Sequence, residues 1–167
     1  MIKMSHLLFD VLLLAGCSFV SEADAQVIMP NLDKPAGETV YNSPEVKATM
    51  ADAKTGRKWE DSLNVMVKFP EEIKKTGMQG RVIYRVIVEK DGRVGRVEPM
   101  MMMLTDVTRQ KLGVQTDEEA NRINTRMKQT LTAEGLRCVK LLPPCKPARQ
   151  EGKNVRSFVT VSASFRP

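Results

Sequence analysis

Arg81 to Lys90 is a run of period two. Val82, Tyr84, Val86 and Val88 fall on one face, and Ile83, Arg85, Ile87 and Glu89 on the other. That period, carried by β-branched and aromatic residues, belongs to a strand and not to a helix. Asp91-Gly92 follows at once, and this pair suits the positive φ values of a tight hairpin turn. The returning strand is predicted from Arg93 to about Met102, with Gly95 marking a bulge or a weakened pairing. A chain with this hairpin must build an antiparallel sheet, and the remaining segments must cover one of its faces.

Those segments are legible on both sides. Phe69-Pro70-Glu71-Glu72-Ile73-Lys74-Lys75-Thr76-Gly77 reads as a short helix. Proline suits its start, the glutamates its positive end, the lysines its negative end and glycine its stop. A longer helix is predicted from Asp117 to Gly135. Ala120, Ile123, Met127, Leu131 and Leu136 fall on one stripe, Thr116 and Glu119 form a capping box, and Gly135 serves as the terminator. Val155 to Phe165 is a closing strand. Val155, Val159, Val161, Ala163 and Phe165 share one face, and Arg156, Phe158, Thr160, Ser162 and Ser164 share the other. A polar strand at the chain end is expected at a sheet edge, with backbone groups open to another chain. Before the hairpin region, residues 26–62 read as an arm, extended to about Pro44 and helical over 45–62. Trp59 is expected to pack that arm onto the domain of residues 63–167.

Residues 1–25 read as an export signal. Lys3 supplies the positive start and Leu7 to Gly16 the apolar stretch, interrupted by Asp10. Spanning a bilayer as a helix takes ~20 apolar residues, more than this stretch offers. Two processing sites compete. Leu14-Ala15-Gly16-Cys17 resembles a lipobox, which implies lipidation at Cys17 and an outer-membrane anchor. Ala23-Asp24-Ala25 fits ordinary cleavage before Gln26. Either places the mature chain in the periplasm. In that oxidising compartment the two remaining cysteines, Cys138 and Cys145, are expected to form a disulfide closing a proline-containing loop.

The sequence offers no catalytic constellation: no nucleophile elbow, no phosphate loop and no paired metal motif. Its single histidine, His6, lies in the signal. Met100 to Met103 could suggest a soft-metal site, but neighbouring strand residues point to opposite faces, so apolar filling is the expected role. The net charge of +6 permits acidic partners. The basic residues are scattered and not interleaved with aromatics, which argues against nucleic acid. The expectation is therefore a binding module with no cofactor and no metal.

The order short helix, hairpin, long helix, final strand, with Phe69-Pro70-Glu71-Glu72-Ile73, Gly80-Arg81-Val82 and Asp91-Gly92-Arg93-Val94, resembles the TonB C-terminal domain family. Pro144 and Gly152-Lys153-Asn154-Val155, leading into Val159, Val161 and Phe165, are similar to its closing block. The resemblance covers about residues 64–167. It implies a two-layer α+β fold, a three-stranded antiparallel sheet packed by two helices. It also implies strand addition of a partner peptide beside the final strand, with Arg156, Phe158, Thr160, Ser162 and Ser164 on the partner-binding edge. The implied partner is an outer-membrane TonB-dependent transporter or another envelope protein. The competing readings are a structural module on peptidoglycan or an envelope assembly, and an edge covered by residues 45–62 or by a second copy in a homodimer.

Overall fold

The structure is a computed structural model that describes residues 39–166. The expected export signal, Cys17 and the first part of the expected arm lie outside the described residues. In chain order the elements are β1 (Val40–Tyr41), α1 (Trp59–Met66), α2 (Glu71–Thr76), β2 (Gly80–Val88), β3 (Val94–Leu104), α3 (Arg109–Leu112), α4 (Asp117–Lys140), β4 (Ala148–Gln150) and β5 (Lys153–Phe165).

The expected hairpin is β2–β3. Glu89 N–H donates to the Arg93 carbonyl and Gly92 N–H to the Glu89 carbonyl, both at 2.9 Å. Gly92 has φ 83°, and a side chain there would strike the Cys145 carbonyl. Both requirements select glycine. The register shifts twice, once beside Gly95 and once at Met100, so β3 carries an extra residue at each place.

Residue alternation then decides the layers. Val82, Tyr84, Val86 and Val88 are all 0% exposed and form the floor of the core with Leu131, Val139, Ala163 and Phe165. The long helix α4 lies over this inner face. The Tyr84 hydroxyl donates to the Thr132 carbonyl at 2.6 Å, so the buried ring keeps its polar tip satisfied. The Asn124 carboxamide donates to the Val107 carbonyl at 2.8 Å and accepts from its N–H at 2.9 Å, holding the stretch after β3 against α4.

Four expectations need correction. The sheet is five-stranded and mixed, in the order β1-β5-β2-β3 with β4 on β5, not a three-stranded antiparallel sheet. The antiparallel set β5-β2-β3 is its main body, with β3 at one edge, and β1 adds to β5 in parallel. Residues 45–58 are not helical. Their backbone pairs instead with 144–149, through Val46–Arg149, Thr49–Lys146 and Ala53–Pro144 bonds of 2.8–3.1 Å, and helix begins only at Trp59. That helix crosses the expected boundary between residues 62 and 63.

The long helix also does not stop at Gly135. It runs to Lys140, because Cys138 and Val139 continue its buried stripe and Gly135 leaves room for the Tyr84 hydroxyl. Finally, Cys138 and Cys145 are free, not bridged. The extended helix holds Cys138, whose thiol donates to the Met66 carbonyl at 3.4 Å, while Cys145 is fixed by its N–H bond to Gly92. Burial pushes the Cys145 thiol up to about 11 and is also the leading cause raising that of Cys138.

Candidate functional site

Both outer strands of the antiparallel set present backbone to solvent, and their sequences differ. β3 pairs only with β2 among the described strands. It contains Pro99, which has no N–H, two register shifts and the charged pair Arg96–Glu98 at 2.5 Å. These are the devices by which an edge is protected from further pairing. β5 has none of them beyond its first residues. It holds no proline or glycine, and its register with β2 is unbroken from Ser157 to Phe165.

The other side of β5 is paired with other strands only at its start; beyond it, α1 and the residues before it pack alongside. β4 pairs with Lys153–Val155, across a turn in which Glu151 and Gly152 both have positive φ, and β1 pairs with Arg156 and Ser157. From Phe158 to Phe165 no described strand lies beside β5 opposite β2. The final strand is thus a partial edge, not a bare one along its whole length. The physical reason is the N-terminal segment, whose backbone groups are satisfied by β5 and by residues 144–149.

Three cavities follow this open stretch in register with the sequence. One of about 390 Å³ lies at Ser157–Thr160, walled by Lys47, Met50, Arg85 and Met100. One of about 480 Å³ lies at Thr160–Ser162 against Lys58, Trp59 and Glu60. One of about 450 Å³ lies at Ser162, Ser164 and Arg166, reaching Arg81 and Met103. Trp59 anchors the wall: it is 0% exposed and its indole N–H donates to the Pro143 carbonyl at 2.9 Å. Ser157 is 1% exposed, and its Oγ has no hydrogen-bond partner among the described residues.

The five side chains expected at the site share the sheet face opposite α4. Arg156 is held by Glu89, with bonds of 2.7 and 2.9 Å, and pairs with β1, so it lies before the open stretch. Phe158 lies under the Arg85 guanidinium, whose carbon is 3.8 Å from the ring centroid. Thr160 is exposed, and Ser162 and Ser164 are half-buried. Arg85 was findable from the alternation, since it shares the outer face with Ile83. Lys47 and Met50 were not, because their segment read as a helix. Among the described residues no group of three or more His, Cys, Asp or Glu could hold a metal ion, and no helix is long and apolar enough to cross a membrane.

No protein-family model and no curated protein matches the chain. Among solved structures, the chain is similar to the solution structure of the TonB C-terminal domain of Helicobacter pylori (residues 179–285). The two share 13% identity over 65% of this chain and 78% of that one, with a TM-score of 0.31. So loose a superposition carries no argument, and the site is read from its own geometry.

Proposed function

We propose that this chain is a TonB-like binding module of the cell envelope. In this reading it pairs by strand addition with an extended peptide of an outer-membrane TonB-dependent transporter or another envelope protein. The observation that carries the reading is the stretch of β5 from Phe158 to Phe165, which no described strand pairs opposite β2 and which lies beside cavities, partly walled by Trp59 and Lys58, that side chains of an added strand would enter. Backbone bonds supply affinity in this mode, and alternate side chains supply selectivity. The export signal and the family resemblance support a periplasmic location, with a lipid anchor at Cys17 in the lipobox reading. Mass spectrometry of the mature N-terminus decides between Cys17 and Gln26; a chain starting at Met1 in the cytoplasm would refute export.

Proline substitution tests the edge. N–H groups of consecutive strand residues point to opposite sides, so Val159→Pro and Thr160→Pro remove one donor from each side of β5. The variant that loses the inward donor is expected to be destabilised. The variant that loses the outward donor should stay folded and fail to retain the partner in pull-downs from solubilised envelope. A folded outward variant that retains its partner would overturn the reading. Capture of peptidoglycan or assembly proteins in place of a transporter would favour a structural envelope module.

A further inference from the structure

The sheet face opposite α4 carries an excess of unpaired positive charge. Arg81, Arg85, Lys47 and Arg166 border its cavities, and none has a carboxylate within ion-pair distance among the described residues. Cross-strand pairing does not supply one: Arg85 lies opposite Glu98 in register, but Glu98 binds Arg96 at 2.5 Å. Arg156 and Glu89 neutralise each other. Glu60 is the carboxylate that borders the same cavities. The face is also apolar. Met101 and Met103 are 50% and 47% exposed, and both stand on it because Met102 points the other way, its sulfur 3.1 Å from the Thr132 hydroxyl.

A sheet surface combining exposed thioethers with arginines that lack carboxylate partners has the composition of a membrane-surface contact. Apolar groups enter the acyl boundary while cations meet phosphates. We propose that this face docks the protein onto an anionic phospholipid surface. Arg81 and Arg166 supply headgroup contacts, and Met101 and Met103 supply shallow insertion. An added peptide strand would lie in the plane of the sheet, so the two contacts are compatible and separately testable.

The test is co-sedimentation of the mature chain starting at Gln26, which carries neither an acyl chain at Cys17 nor the apolar stretch of residues 7–16, with vesicles of phosphatidylcholine with or without phosphatidylglycerol. Binding is expected only with phosphatidylglycerol and should weaken with salt. Each surface cation lost should lower partitioning about fivefold, so the pair Arg81→Gln and Arg166→Gln should lower it about 25-fold. Met101→Ser with Met103→Ser should lower it too. Arg122→Gln with Arg126→Gln, on the exposed side of α4, should change it less than about twofold if the face and not bulk charge is responsible. Equal binding to neutral vesicles, an equal loss in the α4 pair, or release by an equal concentration of inorganic phosphate would each overturn the proposal.

Discussion

Gly135 and Tyr84 show how one residue's missing atoms serve another. A glycine inside a helix costs about 1 kcal/mol relative to alanine, yet α4 carries one midway through its buried stripe. A methyl group there would strike the Tyr84 hydroxyl, the tip of a rigid ring that is 0% exposed. Gly135→Ala should therefore destabilise the fold by about 1–3 kcal/mol in urea denaturation despite its better helix propensity. Adding Tyr84→Phe should recover part of that loss by removing the clashing oxygen. Stabilisation by Gly135→Ala alone would show that the ring moves freely. Nearby, Glu134 accepts from Arg137 at 2.7 and 2.8 Å and from the Lys68 N–H at 2.8 Å, tying the segment between α1 and α2 to α4. The Arg137 hydrogen bonds are the main cause holding its carboxyl down to about 2, from an ordinary 4.5. Above 4.5 both folded and unfolded chains are ionised, and the stabilisation is complete. As pH falls through that window the unfolded chain takes the proton first, so the contribution fades towards about 2. The difference in denaturation midpoint between wild type and Glu134→Gln should be constant above the window and shrink within it. A difference that stays constant throughout would mean the carboxylate does not act through its charge.

Among the elements, those fixed by their own residues were legible, and those fixed by distant partners were not. The hairpin, the short helix and the N-terminus of α4 follow from local chemistry: period two, Asp91-Gly92, Gly77 with φ 79°, and Thr116 accepting from the Glu119 N–H at 3.2 Å. Residues 45–58 have helix-compatible spacing, but their N–H groups find carbonyls about a hundred positions away, which no local pattern reveals. The same contact hides part of the site, since Lys47 and Met50 reach β5 only through that pairing. Met100 is a third case. Strict alternation forbids neighbouring methionines on one face, but the bulge at Met100 lets it join the cavity beside Arg85 and Phe158. The stretch after β3 depends likewise on one side chain, buried Asn124. Asn124→Ala removes both partners of the Val107 backbone and should cost about 2 kcal/mol. Hydrogen exchange at the Val107 amide should accelerate more than at Val86. Equal acceleration at both would mean that the loss is global and that Asn124 does not secure this stretch in particular.

For the molecule as a whole, the question is whether the segment before the hairpin region is an arm or part of the domain. The sequence pattern places a division between residues 62 and 63. In the structure α1 spans that point, and Trp59 and Leu63, one on each side of it, are 0% and 1% exposed in the same core as Val82 and Phe165. Burying such side chains stabilises by roughly 1.5–3 kcal/mol each, so the segment cannot detach without opening the core. The chain holds a single tryptophan, which makes this measurable. Tryptophan fluorescence reports the Trp59 contacts with the Pro143 carbonyl and the cavity wall beside β5. Far-UV circular dichroism reports mainly α4 and the sheet. If the segment from β1 to α1 belongs to one cooperative unit, both signals should change at the same urea concentration and yield the same slope. If it is a separable arm, fluorescence should shift red at a lower concentration while the circular dichroism holds. The outcome also bears on the open stretch of β5. A coincident transition would mean that its wall is as stable as the core, so a partner strand meets a preformed groove; an early fluorescence transition would mean that the wall opens on its own.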